Sequence, residues 1–320
     1  MNPDLERLHP YPFAKLRALV ADVTPADKPP VALSIGEPRH PAPDFVARAL
    51  ADHTDLLARY PATAGSPELR QAIADWLGRR FAPAEPDPDT QVLPVNGTRE
   101  ALFAIVQTLV DRHDPGRVLM PNPFYQIYEG ATLLAGAEPT YLACTASNDF
   151  KPDLNAVDEH VLDDCQVLFI CTPGNPTGSV LSVDELQHII QLADRHDFVI
   201  VSDECYSEIY GEAPPPGLLQ AAAAMGRTDF RRCLAFHSLS KRSNLPGLRS
   251  GFVAGDAELL ESYRLYRTYQ GCAMPLHHQQ ASIAAWNDET HVEENRAAYA
   301  RKFATVLDIL GDVLKVSAPE

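Results

Sequence analysis

Residues 166–206 read QVLFICTPGNPTGSVLSVDELQHIIQLADRHDFVIVSDECY and carry the signals of one strand–helix–strand unit. The apolar run at residues 166–171 predicts a buried strand, and a second apolar run follows at residues 198–202. Between them, Ser182 and Glu185 form an S-x-x-E capping box ahead of a helical stretch. This order predicts a βαβ unit, in which the two strands lie parallel in one sheet.

The same alternation of apolar runs and helical stretches extends to both sides of this unit. Ser66 followed by Pro67 predicts a helix N-terminus, and Asp256 can cap a helix at residues 256–270. Together the runs predict an α/β fold with a mostly parallel central sheet and helices on both faces. The predicted strands are at residues 91–95, 117–120, 166–171, 198–202, 233–237 and 251–254, and the predicted loops at residues 82–90, 145–153 and 211–217.

The chain has 320 residues, a length that allows about two domains. We predict that residues 36–272 form a large domain. Residues 1–35 are expected to form an N-terminal arm with a segment of a smaller α/β domain, and residues 273–320 the start of the C-terminal part of that domain.

Composition excludes several classes of partner. With 27 Lys and Arg against 43 Asp and Glu, the formal charge is -16, which argues against nucleic acid. Neither a signal-like start nor an apolar run of about 18 residues is present, so no membrane span and a cytoplasmic location are expected. The six cysteines never form a C-x-x-C pair, and we interpret them as reduced core residues without a metal or redox role.

Lys241 is the leading candidate for chemistry, in the run SLSKRSNLPGLRSG at residues 238–251. A lysine reacts with an aldehyde only where burial or a neighbouring cation disfavours its ammonium form. Arg242 and Arg249 could supply that cation, and the hydroxyls and Pro-Gly turn suit an anion-binding loop. The alternative is a solvated basic surface loop.

Three other clusters follow predicted strands. Residues 96–102, NGTREAL, open a helix and predict an anion site, although a plain N-cap would look the same. Residues 171–178, CTPGNPTG, form a turn where open α/β sheets bind ligands, or simply a structural turn. Asp203 ends an apolar strand, and a buried carboxylate needs a partner.

Taken together and in order, Asn175, Asp203, Tyr206, Lys241 and Arg249 resemble the motifs of the fold-type I pyridoxal-phosphate enzymes of the class I and II aminotransferase family. The resemblance runs from about residue 33 to the end of the chain. It implies pyridoxal 5'-phosphate as cofactor, amino acids and keto acids as substrates, and transamination as the reaction.

The resemblance assigns catalytic roles to Lys241, Asp203 and Tyr206. Lys241 would hold the cofactor as a Schiff base and move a proton at the substrate α-carbon. Asp203 would pair with the pyridine nitrogen and keep it protonated, which lets the ring accept electrons. Asn175 and Tyr206 would donate hydrogen bonds to the phenolic oxygen of the ring.

Further cofactor and substrate contacts follow from the same resemblance. Tyr125 would stack on the pyridine ring, with Phe124 as the neighbour that could be confused with it. Tyr60 would reach the phosphate of a partner subunit, which implies a homodimer, and Gly36 would line the substrate carboxylate site. The phosphate would be held by Gly97, Thr98, Arg99, Ser238, Ser240 and Arg249.

Four stretches, at residues 9–13, 33–38, 122–130 and 239–249, resemble the bacterial succinyldiaminopimelate aminotransferases of lysine biosynthesis. This resemblance implies amino-group exchange between N-succinyl-2-oxo-6-aminopimelate and glutamate, with 2-oxoglutarate as co-product. A substrate with several carboxylates needs cations. Candidates are Arg39, Arg242, Arg264 and Arg267.

Family members continue beyond the point where this sequence stops, into a segment that brings an arginine for the substrate α-carboxylate. We therefore expect the chain to be an incomplete version of a longer protein, with a natural remnant as the alternative. Two other functions stay open: a β-lyase or decarboxylase on the same scaffold, and a cofactor-binding sensor without catalysis. The sensor is disfavoured because residues 1–30 are too short and too weakly basic for a DNA-binding module.

Overall fold

A seven-stranded sheet forms the centre of the computed structural model, which describes residues 1–10, 12–29, 31, 36–271 and 273–314. Its order is β1-β7-β6-β5-β4-β2-β3, and only β7 runs antiparallel to its neighbours. The predicted α/β class with a mostly parallel sheet is therefore confirmed. The strands are β1 (Val92–Val95), β2 (Arg117–Asn122), β3 (Glu138–Ala143), β4 (Cys165–Cys171), β5 (Val199–Asp203), β6 (Cys233–Ser238) and β7 (Gly251–Gly255).

Twelve α-helices surround this sheet in the described part of the chain. They are α1 (Pro12–Leu19), α2 (Asp44–Asp52), α3 (Pro67–Arg80), α4 (Thr98–Leu109), α5 (Ile127–Ala135), α6 (Glu159–Asp163), α7 (Val183–His196), α8 (Leu218–Ala224), α9 (Leu239–Arg242), α10 (Ala257–Gln270), α11 (Leu276–Asn287) and α12 (Thr290–Leu310). Short 3-10 turns lie at Pro3–Arg7, Thr54–Ala58, Ala146–Asn148, Leu154–Ala156 and Pro246–Leu248.

Helices cover both faces of the sheet, as the continuous apolar runs require. Along β4, Val167 and Phe169 point into the core beneath α4, α5 and α10, whereas Leu168 and Ile170 point into the core beneath α3, α7, α8 and α11. All four side chains are fully buried. Successive strand residues face opposite sides, so a strand buried on both faces needs apolar residues at every position.

The register brings the carboxyl ends of three strands to one edge of the sheet. Cys171 at the end of β4 lies opposite Asp203 at the end of β5, and Asp203 lies opposite Phe236 on β6. The chain leaves each strand here into a polar turn. The sheet therefore places residues 172–178, 204–210 and 238–244 next to one another.

The predicted helix starts are confirmed. The Ser182 hydroxyl accepts from Glu185 N at 3.2 Å while the Glu185 carboxylate accepts from Ser182 N at 2.7 Å, which completes the capping box of α7. Ser66 caps α3, and Asp256 caps α10 by accepting from two backbone N–H groups. These caps satisfy amides that a helix end otherwise leaves without a partner.

Strand β3 is absent from the sequence-based prediction. It lies at the edge of the sheet, contains Pro139 and leaves several side chains exposed, so it shows neither an apolar run nor a clear alternation. Strand β2 also continues two residues beyond the predicted end, to Asn122. The predicted loops are confirmed, with one 3-10 turn, Ala146–Asn148, inside residues 145–153.

Cys144, Cys165, Cys171, Cys205 and Cys233 are free thiols. Predictions that involve Tyr11, residues 33–35, Cys272 or residues 315–320 lie outside the described residues. The domain division near residues 271–275 stays a prediction, and α11 beyond it contributes Trp286 to the core under the sheet. Within the described ranges, no helix is both long enough and apolar enough to cross a bilayer.

Candidate active site

A cavity of about 730 Å³ opens where the carboxyl ends of β4, β5 and β6 meet the N-terminus of α4. It gathers residues from distant parts of the sequence, as the parallel sheet predicts. The lining includes most of the residues proposed from the sequence: Gly36, Thr98, Arg99, Tyr125, Asn175, Asp203, Tyr206, Ser238, Ser240, Lys241 and Arg249.

Lys241 projects from the single turn α9 toward this cavity. The hydroxyl of Ser238 caps the turn by accepting from Ser240 N at 3.1 Å. The Lys241 Nζ donates to the carbonyl oxygen of Gly36 at 2.6 Å and lies 5.8 Å from the centroid of the Tyr206 ring. Burial lowers the pKa of Lys241, and the neighbouring acidic groups Cys205 and Glu37 act in the opposite sense. At a given pH, a larger fraction of Lys241 is therefore present as the neutral amine than for a solvated lysine.

The proposal that an adjacent arginine lowers the pKa of Lys241 is wrong for Arg242. This side chain turns away from the cavity into the core, where it is 2 % exposed. Its guanidinium lies 5.4 Å from the Trp76 ring centroid and 4.9 Å from that of Trp286, and it forms a 2.6 Å ion pair with Glu289. Arg242 is thus an anchor of the turn, not a ligand for substrate.

Asp203 forms the buried floor of the cavity. It is 6 % exposed, and its Oδ2 accepts a 2.8 Å hydrogen bond from the hydroxyl of Tyr128, while its Oδ1 accepts from Cys205 N at 3.3 Å. Burial raises the pKa of Asp203, although the Cys205 and Tyr128 donors and the charge of His237 act in the opposite sense. A carboxylate held this way favours a cationic ligand.

Tyr128 and Cys205 are site residues that sequence reasoning missed. Tyr128 is fully buried on α5 and stacks on Phe169 at a centroid distance of 4.3 Å, which aims its hydroxyl at Asp203. The Cys205 thiol lies 3.2 Å from the Thr98 hydroxyl, and burial raises its pKa well above the ordinary value. The only sequence signal for Tyr128 is its position three residues after Tyr125.

An anion-binding region occupies the other end of the cavity. Gly97 precedes α4 with φ +93°, and a Cβ built on it would collide with the guanidinium of Arg249. Arg249 forms a 2.6 Å ion pair with Glu100, and both side chains are partly exposed. The N-terminus of a twelve-residue helix and an arginine together favour an anion.

Tyr125, Tyr206 and Asn175 also line the cavity. Tyr125 accepts a 2.7 Å hydrogen bond from Arg99 Nε, and burial raises its pKa. Burial and the charge of Asp203 also raise the pKa of Tyr206, so its hydroxyl stays a donor at neutral pH. Phe124 instead stacks on Tyr141 at a centroid distance of 5.4 Å, although it also borders the cavity.

Tyr60, which the resemblance assigns to the cofactor phosphate, is not among the residues that line this cavity. Its side chain is fully exposed and does not line the cavity of its own chain. A role in the site of a second subunit stays a prediction.

The residues present fit pyridoxal phosphate. A buried carboxylate suits its pyridinium nitrogen, a desolvated lysine suits its aldehyde, and a helix N-terminus beside Arg249 suits its phosphate. Glycine at position 97 leaves room where a side chain would obstruct the phosphate end.

Comparison with solved structures supports the same assignment. An aminotransferase from Neisseria meningitidis superposes with a TM-score of 0.95 at 50% identity and covers 100% of this chain and 81% of its own. Aminotransferase AspB from Helicobacter pylori gives a TM-score of 0.91 at 41% identity, over 98% of this chain and 81% of its own.

Sequence comparison agrees with the structural match. An LL-diaminopimelate aminotransferase from Dehalococcoides mccartyi is 33% identical over 326 residues, which span 100% of this chain and 82% of that protein. The family model for aminotransferase class I and II matches residues 28–319. This chain therefore belongs to the class I and II aminotransferases, which use pyridoxal phosphate.

Proposed function

We propose that this aminotransferase holds pyridoxal phosphate between Asp203 and Arg249, with Lys241 as the amine that binds its aldehyde. The convergence of Lys241, Asp203 and Tyr206 in one cavity carries the proposal. When bound, pyridoxal phosphate supplies an electron sink for negative charge at the substrate α-carbon. Asn175 and Tyr206 would hold its phenolic oxygen by donating hydrogen bonds, and the ring of Tyr125 would hold the pyridine by stacking.

Lys241 is the group that moves the proton in this proposal. Its Nζ already lies in the cavity, and its lowered pKa raises the fraction of neutral amine. Once the substrate amine has displaced it from the aldehyde, the neutral Lys241 amine would accept the proton from the substrate α-carbon and deliver it to the aldehyde carbon of the cofactor, so the amine is neutral again at the end of each half-reaction. Asp203 stays ionised against a pyridinium cation, since pairing offsets the effect of burial on its pKa.

The phosphate is assigned to the backbone at Gly97, Thr98 and Arg99 with the hydroxyls of Ser238 and Ser240 and the guanidinium of Arg249. The Ser238 hydroxyl donates to Ser240 Oγ at 2.9 Å, so the two hydroxyls lie side by side in the cavity lining. Glu100 pairs with Arg249 in the structure and would compete with a phosphate for it. Phosphate binding in this proposal exchanges one anionic partner of Arg249 for another.

For the substrate, the sequence resemblance supports N-succinyl-2-oxo-6-aminopimelate with glutamate as donor, a step of lysine biosynthesis. The second candidate is unsuccinylated LL-diaminopimelate, because relatives from Dehalococcoides mccartyi and Desulforudis audaxviator carry that name at 33% and 34% identity. Both candidates share a seven-carbon dicarboxylate skeleton and exchange an amino group next to a carboxylate.

The four arginines considered for the substrate carboxylates differ in their exposure and in the partners that they already have. Arg242 is committed to the core, and Arg267 is buried, with an NH1 group that donates to Pro94 O at 2.7 Å. Arg264 lines a separate cavity of about 260 Å³. Arg39 is exposed and follows Gly36 by three residues, which makes it the strongest of the four. Gly36 keeps its assignment at the substrate carboxylate.

The proposal includes a homodimer, because Tyr60 is assigned to the cofactor phosphate in the cavity of a second subunit. Its ring is fully exposed on its own chain, and the carboxyl edge of the sheet is already lined without it. Mixing Lys241→Ala with Tyr60→Phe subunits tests the arrangement. Heterodimers would then carry one site with both native residues, and activity would recover in the mixture if Tyr60 acts across the interface. No recovery would contradict it.

A panel of amino donors and keto acids tests the substrate assignment. We expect glutamate to be the preferred donor and one of the two diaminopimelate substrates to give the highest kcat/KM. A ratio of about 10²-fold or more between the succinylated and free substrates would identify a pocket that binds the succinyl group. Highest activity on aromatic or branched-chain amino acids would contradict the diaminopimelate assignment.

A further inference from the structure

Two consecutive residues of α12, Asn295 and Arg296, contact both of the turns that carry the proposed catalytic groups. Asn295 is 5 % exposed, and its Nδ2 donates to Lys241 O at 3.2 Å and to Arg242 O at 3.4 Å. Its Oδ1 in turn accepts from Asn244 Nδ2 at 2.8 Å. One amide thus joins three backbone and side-chain positions of the lysine turn to α12.

Arg296 contacts the turn that carries Tyr206, residues 204–210. The contact is made at Glu208, two residues after Tyr206. The Arg296 guanidinium forms a 3.0 Å ion pair with Glu208 Oε2, and its Nε donates to Glu208 O at 3.3 Å. The same guanidinium lies 3.9 Å from the centroid of the Tyr210 ring. Glu208 is 3 % exposed and is paired on its other oxygen with Arg80 of α3 at 2.7 Å.

Neither turn has regular structure long enough to hold its own geometry. The Lys241 turn is a four-residue helix, and residues 204–210 contain no helix or strand. Short helices are marginal without tertiary contacts. The positions of Lys241 and Tyr206 therefore depend on the groups that bind these two turns from outside.

Helix α12 depends on the same contacts. Of its 21 residues, only Val292 and Asn295 are buried, so apolar packing alone gives it little attachment to the sheet domain. The polar contacts of Asn295 and Arg296 are therefore shared between helix and turns. A change at Asn295 or at Arg296 would release one turn from α12 while the other stays attached, and would therefore change the distance between the two turns.

We infer that Asn295 and Arg296 are positioning residues that set the separation of Lys241 and Tyr206 for transamination. The observed separation is 5.8 Å from the Lys241 Nζ to the Tyr206 ring centroid. The inference rests on the proposed role of Lys241. Arg242 fixes the lysine turn to the core between two tryptophans, whereas Asn295 and Arg296 fix its place relative to the tyrosine turn.

The test compares Asn295→Ala and Arg296→Ala with Arg301→Ala, an exposed position on the same helix. Asn295→Asp keeps the shape but removes the donor to Lys241 O, and Arg296→Lys keeps the charge but loses the two-point contact. Each full-length variant is loaded with pyridoxal phosphate. Measurements are kcat, KM, the visible absorbance of the lysine-bound cofactor against pH, and circular dichroism for the fold.

We expect Asn295→Ala and Arg296→Ala to lower kcat about tenfold with KM changed less than about threefold, and to shift the pH midpoint of the absorbance. Arg296→Lys should recover part of the loss, and Arg301→Ala should match wild type. If an alanine variant fails to fold, Asn295→Asp and Arg296→Lys decide by the same criteria.

Folded variants with wild-type kcat and pH midpoint would overturn the inference alone. A wild-type enzyme in which the cofactor is not bound to Lys241 would overturn the proposed role of that lysine, and the inference with it. The absorbance measurement on wild type separates these two failures.

Discussion

The two ends of the active-site cavity are built in different ways. At one end Asp203 is 6 % exposed and held by Tyr128 and the Cys205 amide, with the pKa of its carboxyl raised by burial. At the other end Arg249 is 41 % exposed and paired with Glu100, which is 45 % exposed. The first end is fixed by packing, and the second can exchange partners.

This difference suggests how a cofactor with a cationic ring and an anionic tail is bound. A buried carboxylate without a cation is unfavourable, so the Asp203 end gains most from the ligand. An exposed ion pair contributes only about 0–1 kcal/mol, so Glu100 can be displaced from Arg249 at little cost. Binding strength should therefore come mainly from the buried end, and adaptability from the exposed end.

The largest effect is expected for Asp203→Asn. Loss of a buried charge partner typically costs about 3–5 kcal/mol, so cofactor affinity and kcat should fall at least about 10²-fold. Measured side by side, pyridoxal and pyridoxal phosphate should lose affinity equally, because the change affects the ring and not the phosphate. Loss for the phosphate form alone would contradict the assignment of Asp203 to the ring.

In the cofactor-free protein, Asp203→Asn should increase the stability of the folded state. Burial raises the pKa of Asp203, so the folded state binds a proton more tightly than the unfolded chain, and stability falls as the pH rises from the unfolded pKa of about 4 through the folded value. Asparagine does not ionise. Thermal unfolding should show Asp203→Asn as more stable than wild type at pH 8, with a smaller difference at pH 5; a destabilised variant at pH 8 would be inconsistent.

Arg249→Gln should give the next largest effect. A charge-assisted hydrogen bond to phosphate contributes about 1.5–3 kcal/mol, so affinity for pyridoxal phosphate should fall about 10- to 100-fold. Affinity for pyridoxal should stay within about twofold. Equal loss for both ligands would mean that Arg249 acts on the fold of the loop and not on the phosphate.

Tyr128→Phe tests the fixed end without removing its charge. The variant removes one hydrogen bond to a buried carboxylate while keeping the ring that stacks on Phe169. We expect cofactor affinity and kcat to fall by about 5- to 20-fold. An unchanged pH dependence of cofactor binding in this variant would contradict a role for Tyr128 in holding Asp203.

The smallest effect is expected for Glu100→Gln, and its sign is informative. Removal of the competing carboxylate should strengthen binding of pyridoxal phosphate by up to about fivefold, since the ion pair is exposed. The gain should shrink with added salt. Weaker binding in equilibrium titration would show that Glu100 supports the phosphate site and does not compete with it.

Much of the Asp203 end of the cavity could be predicted from the sequence. Asp203 ends β5, whereas Asn175 and Lys241 follow β4 and β6, and parallel strands bring such positions to one edge. Tyr128 escaped prediction because its contact with Asp203 spans 75 positions and depends on how α5 packs on the sheet. The sequence pattern around a tyrosine in an amphipathic helix does not indicate such a contact.

Lys241 and Arg242 mark a second limit of sequence reasoning. Both are basic and adjacent, but neighbouring residues on a helix point about 100° apart, so one faces the cavity and the other the tryptophans. Which of the two residues faces the cavity depends on how α9 packs against the rest of the fold. Strand β3 was missed for a related reason, because an exposed edge strand lacks the burial that produces an apolar pattern.

The most direct test of the account is chemical capture of the lysine that binds the cofactor. Wild-type protein is incubated with pyridoxal phosphate, reduced with borohydride, digested and analysed by mass spectrometry, with Lys241→Ala and Lys302→Ala in parallel. The account predicts one pyridoxyl-phosphate adduct on Lys241 in wild type and Lys302→Ala, and none at a defined site in Lys241→Ala. A stoichiometric adduct on another lysine, or no adduct in wild type, would contradict it.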